Sequence, residues 1–63
     1  MKYRVEHIRW IAGQGTSYTE IIDNVDDLLT ADQLRDGYGD YCEGGDWLEL
    51  IENGTDQVVV TTE

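Results

Sequence analysis

Apolar positions along this chain change period three times, and each change marks an element. Lys2 to Ala12 is rich in β-branched and aromatic residues and has no helical stripe, which predicts a strand. Its alternation is uneven: Tyr3, Val5 and Ile11 share one parity, whereas Ile8, Trp10 and Ala12 share the other. A bulge near His7, or burial on both faces toward the end of the strand, reconciles the two sets. Gly13-Gln14-Gly15 supplies the positive φ that a tight connection needs, and a second strand is expected over Thr16 to Ile22.

The period then becomes helical. Val25, Leu28, Leu29 and Leu34 form a stripe, so a helix is expected from about Val25 to Asp36. Asp23 or Asn24 would cap it, with Asp26 and Asp27 in the first turn, where carboxylates favour the helix dipole. Thr30-Ala31-Asp32-Gln33 also fits a capping box, which would divide the segment into two short helices. Gly37 suits the end of the helix, and the glycine-rich run to Asp46 reads as a loop anchored by Tyr38 and Tyr41.

Alternation returns in Trp47 to Glu52, with Leu48 and Leu50 on one side and Trp47, Glu49 and Ile51 on the other. Asn53-Gly54-Thr55-Asp56 is the strongest turn signal, and Gln57 to Thr62 completes a second hairpin. The expected fold is therefore α+β, in the order β-β-α-β-β. It is a single domain over residues 1–63, a four-stranded antiparallel sheet with one helix packed on a face. Trp10 and Trp47 are expected to fill the small core, leaving Tyr38 and Tyr41 for an interface.

Composition changes the picture in one respect. The chain has 14 acidic residues against 4 Lys and Arg, a net charge of −10. Between Asp23 and Glu52 stand ten acids and one base, Arg35, while Lys2, Arg4 and Arg9 cluster in the first strand. Such imbalance destabilises a compact state by self-repulsion and favours basic partners over direct contact with nucleic acid. A hydrophobic content of 40%, with two Trp and four Tyr, argues for a folded chain rather than a disordered acidic tail.

Candidate chemistry adds little. One cysteine, Cys42, permits no intrachain disulfide, and the first residues contain no apolar leader. A cytoplasmic protein, monomeric or weakly associating, is expected. Asp40, Glu43 and Asp46 recur every three residues with oxygen ligands suited to Ca²⁺ or Mg²⁺, but the EF-hand pattern is absent and no metal or cofactor is assigned. His7 and Cys42 alone do not make a nucleophile, base, orienting group and oxyanion site, so no catalytic residue is assigned and the chain is read as not an enzyme. No small-molecule substrate and no membrane are expected as partners, and 63 residues leave little surface for a substrate cleft.

Asp23 to Asp36, followed by Tyr38-Gly39-Asp40-Tyr41-Cys42-Glu43-Gly44-Gly45-Asp46, resembles the small acidic phage proteins that block host defences. These include anti-CRISPR proteins and inhibitors of uracil-DNA glycosylase. The resemblance is one of size, charge and compactness over the whole chain. It implies a DNA mimic that occupies a basic groove on a host nuclease or surveillance complex. Acids four residues apart on a helix stand about 6 Å apart along the axis, and phosphates along one DNA strand are spaced by about 3.4 Å of rise. The expected contact residues are Asp26, Asp27, Asp32, Asp36, Asp40, Glu43 and Asp46, with Tyr38 and Tyr41 packing beside them. The alternative is a small regulatory or assembly subunit that docks through an exposed sheet edge and its tyrosines, with charge serving solubility.

Overall fold

A computed structural model describes residues 1–63. The strands are β1 (Tyr3–Ile11), β2 (Thr16–Val25), β3 (Trp47–Glu52) and β4 (Gln57–Thr61), and the helix is α1 (Ala31–Gly37), followed by a single 3₁₀ turn at Gly39–Tyr41. All neighbouring strands are antiparallel, in the sheet order β2-β1-β3-β4. The expected β-β-α-β-β arrangement is therefore the one found. The long connection from β2 to β3 carries the chain across one face of the sheet, and α1 lies within that crossing.

Register decides what each face carries. Val5 lies opposite Leu50 and His7 opposite Leu48, and on this face Leu34 of α1 seals a core cluster with Val5, Leu48 and Leu50. Tyr3, Ile22, Val25, Leu29, Tyr38, Cys42 and Val60 pack around it. The opposite face carries Arg4, Glu6 and Ile8 of β1, with Ile21 opposite Glu6, Trp47 opposite Ile8, and Val58 opposite Ile51. No helix or loop covers it.

The helix is shorter than the apolar stripe predicts. It begins at Ala31, because Thr30 and Gln33 form the capping box: the Gln33 amide donates to Thr30 Oγ1 at 3.2 Å and the Thr30 amide to Gln33 Oε1 at 2.9 Å. Val25 belongs to the end of β2, three residues beyond the expected limit of that strand. Asp26 and Asp27 precede α1 instead of forming its first turn. Leu28 leaves the core and stands 61% exposed. A reciprocal cap that satisfies two amides is a stronger start signal than a lone acid, and β2 gains ladder hydrogen bonds by continuing along β1 to Tyr3↔Val25.

The uneven alternation of β1 also has a structural answer. β1 pairs with β3 without interruption from Tyr3 to Ile8, so the irregularity is not in β1. Its register with β2 shifts between Val5 and Glu6, where Asp23 and Ile21 are the successive partners and Ile22 is the extra residue. Both parities are apolar because Val5 meets the helix layer while Ile8 is buried among long side chains of the other face. Trp10, expected in the core, is 55% exposed, since nothing covers that end of the sheet. In the second hairpin Glu52 pairs with Gln57, leaving a four-residue connection in which Asp56, not Gly54, takes the positive φ of 57°.

Leu34 is the helix's only buried residue. Replacing it with Ala should lower the unfolding free energy by about 3 kcal/mol, within the usual range for buried leucine. Thr30→Ala should cost about 1 kcal/mol through the lost cap. Urea titration followed by circular dichroism measures both, and the order Leu34→Ala worse than Thr30→Ala is the expected result.

Candidate functional site

Two features of the helix-side layer bear on function: a polar cluster around His7 and the acids that ride on the crossing segment. β1 places His7 on the helix-side face, where Glu20 of β2 is its register partner. The loop before β3 returns Asp46 to the same point. His7 is 5% exposed, with Nδ1 3.2 Å from Glu20 Oε1 and Nε2 2.8 Å from Asp46 Oδ2. A neutral imidazole has one donor and one acceptor, whereas carboxylates only accept. Both contacts are hydrogen bonds together only when the ring is doubly protonated.

Arg9 Nε donates to the same Asp46 Oδ2 at 3.1 Å, and the Tyr41 ring leans over His7 with centroids 5.3 Å apart and planes tilted by 57°. With Asp40, Glu43 and Gly44 these side chains line an open cleft of about 650 Å³. The hydrogen bond from His7, and then that from Arg9, hold the Asp46 carboxyl below its ordinary range against an opposing desolvation effect. Asp46 is thus a structural anchor for the end of the loop rather than a free surface charge. Cys42 packs against the core cluster and does not line the cleft. No three His, Cys, Asp or Glu side chains converge as metal ligands would.

A second anchor ties the crossing segment to the sheet. The Tyr38 hydroxyl donates to Asp23 Oδ2 at 2.5 Å, while its ring packs against the core cluster. That bond, then burial, pushes the Tyr38 hydroxyl up to about 12, and the same bond, with the Asn24 amide, pulls the Asp23 carboxyl down. Tyr38 therefore acts within the fold, whereas Tyr41 lines the cleft and is 39% exposed.

The remaining expected contact residues divide by what they touch. Asp32 accepts from Arg35 at 2.8 Å on the exposed side of α1, and Asp26 accepts from the Lys2 amide at 3.1 Å. Asp27, Asp36, Asp40 and Glu43 are exposed and make no ion pair or side-chain hydrogen bond. Asp40, Tyr41, Glu43 and Asp46 gather at the cleft; Asp26, Asp27, Asp32 and Asp36 lie along the crossing segment before and within α1. The sequence assigns His7 no role, and its pairing with Glu20 and Asp46 emerges only in the structure. Two-residue alternation places His7 beside Val5 on one face, which was the one signal available.

Compared with known proteins, the chain matches no family model, and no curated protein or solved structure is found to be similar to it. No helix is long and apolar enough to cross a membrane.

The two anchors give stability a pH dependence of opposite sign at the two ends of the scale. Asp46 and Asp23 titrate lower when folded, so their contribution is present above the unfolded carboxylate value of about 3.9 and is lost as pH falls through their folded values. Tyr38 is raised, so its contribution is complete below the unfolded value of about 10 and is lost as pH rises toward about 12. Melting temperature against pH should show both limbs. Asp46→Asn should flatten the acid limb, and Tyr38→Phe should flatten the alkaline limb together with the Asp23 share of the acid one.

Proposed function

We propose that this chain is an acidic inhibitor that occupies the basic nucleic-acid-binding groove of a host defence complex or DNA-processing enzyme, with carboxylates standing where phosphates would lie. The observation that carries this reading is the disposition of charge. Each arginine is engaged inside the molecule: Arg4 with Glu6 and Asp56, Arg9 with Asp46, and Arg35 with Asp32. Those pairs use four of the fourteen acids, and the other ten have no arginine partner. Asp27, Asp36, Asp40 and Glu43 stand free and exposed on the crossing segment.

Rigidity supports the same reading. Carboxylates on a mobile tail would have to be ordered at the moment of binding, at a cost in affinity. Here the crossing segment is held by Leu34 in the core, by the Tyr38–Asp23 bond, by the Thr30–Gln33 cap and by Asp46 under His7 and Arg9. Partner Lys and Arg would meet charges already placed. The chain would act as a protein ligand for a basic surface, with no reaction and no cofactor of its own.

A second reading, a small regulatory or assembly subunit, has one observation in its favour. β2 is an edge strand of ten residues, nearly all exposed, with one side of its backbone unpaired. Pairing through such an edge relies on backbone hydrogen bonds and is weakly sensitive to salt, whereas contact through the acids weakens as salt screens them.

Immobilised chain should capture nucleic-acid-binding proteins from a bacterial lysate, and duplex DNA or high salt should displace them. The triple variant Asp36→Lys, Asp40→Lys, Glu43→Lys should weaken capture of the same proteins by at least about tenfold, chiefly through slower association. Capture that survives the triple reversal and high salt would point to the edge of β2 instead.

A further inference from the structure

No helix or loop covers the face of the sheet opposite α1, which mixes apolar and charged side chains. An antiparallel sheet with one face in water normally presents polar side chains there. This one carries Ile21 and Val58, 59% and 49% exposed, and the half-buried Trp47, together with the buried Ile8 and Ile51 and the charged Arg4, Glu6 and Glu49. Its charges are largely satisfied from within. Arg4 binds Glu6 at 2.7 Å and Asp56 at 3.0 Å, and Trp47 Nε1 donates to Glu49 at 3.3 Å. In a chain of net charge −10, the unpaired acids of the crossing segment are all carried by the other layer.

We propose that this bare face is covered by a second copy of the same chain, the two sheets packing face to face as a symmetric sandwich with both helix layers outermost. Three observations favour a second copy over a different partner. The face carries only a small part of the net −10, Arg4 against Glu6 and Glu49 on its strands, so a basic partner would be drawn to the opposite layer instead. The molecule measures 36 × 24 × 15 Å, so its broad face offers at most ~860 Å² per copy, beside the ~800 Å² per partner of a standard stable interface. Stacking two such slabs leaves the acidic layers roughly 30 Å apart, more than three Debye lengths at physiological ionic strength.

Burial gives the physical motive. Only seven of 63 residues are buried, a small core even for a domain of this length. Two aligned sheets about 10 Å apart would interdigitate the side chains of their facing surfaces into a second core. An isologous contact of this kind closes on itself and builds no fibre. The edge positions Ile21 of β2 and Val58 of β4 would close its two sides, and both copies would still present their acids outward, so this assembly stands apart from the proposed inhibitory contact.

Sedimentation velocity and light scattering on the full chain, from about 1 to about 500 μM, test the assembly. The expected mass is twice the 7.2 kDa of one chain, with association that holds or tightens in high salt. Ile21→Lys with Val58→Lys reduces the net negative charge, yet it should raise the dimer dissociation constant by at least about tenfold, because it buries unpaired charge. Far-UV circular dichroism checks that the variant is folded; should it unfold, Ile21→Thr with Val58→Thr replaces it, with a smaller weakening expected. Tryptophan emission should shift to longer wavelength as the dimer dissociates. Asp36→Lys with Glu43→Lys, on the opposite layer, should leave the dimer intact. A 7.2 kDa species across the whole range overturns the proposal. A dimer unaffected by folded Ile21 and Val58 variants does so too, as does a face protected only when a different protein is added.

Discussion

The contact on which this structure depends is the insertion of Leu34 against Val5, Leu48 and Leu50. It is the one fully buried link between the helix and the sheet; Leu29, Tyr38 and Cys42 pack beside it, and Arg35 donates to the Thr62 carbonyl at 3.1 Å. With so few buried residues, the domain has little reserve, and the loss of one well-packed leucine is a large fraction of the stability expected at this size. The short helix could not persist alone, since seven residues do not offset the nucleation penalty. Tertiary packing and the Thr30–Gln33 cap together make it a helix at all.

Charge is distributed around that contact in a consistent way. The arginines are engaged in internal pairs that fasten the sheet and loops, and half of the ten acids without an arginine partner, Asp26, Asp27, Asp36, Asp40 and Glu43, are carried by the segment that crosses over the core. Self-repulsion is reduced because these acids are spread along a loop, a helix and a turn rather than confined to one strand. Two polar ties fasten this layer to the sheet, Tyr38 to Asp23 of β2 and Asp46 to His7 of β1. The outcome is a thin molecule with an acidic layer on one side and, on the other, a mixed sheet face that no helix covers. Each side offers a different kind of contact.

The His7 cluster shows how a buried polar group is accommodated in so small a protein. An imidazole this enclosed needs partners on both nitrogens, and Glu20 and Asp46 supply them from opposite directions. Arg9 then shares the Asp46 carboxylate, so two side chains converge on one acid, and the Tyr41 ring lies against the imidazole. Such a network specifies where the glycine-rich loop ends more sharply than apolar contact would, because the buried His7 loses one of its two partners if the loop moves.

The chain by itself determined the four strands, the two hairpins, the existence of a helix between them and the excess of negative charge, since these follow from local period, turn residues and composition. It also contained both starts for the helix, and local signals favoured neither decisively. Only the tertiary structure chose Thr30, because extending β2 along β1 as far as Val25 gains ladder hydrogen bonds that a longer helix would forfeit. The same holds for Trp10 and Leu28, both apolar by identity and exposed by placement, because burial depends on whether another layer exists opposite them. The pairing of His7 with Glu20 and Asp46 joins residues 13 and 39 positions apart, a separation no local pattern spans. Sequence therefore determined what each element is, and tertiary packing decided which charges are anchors, which are free, and which face of the sheet remains bare.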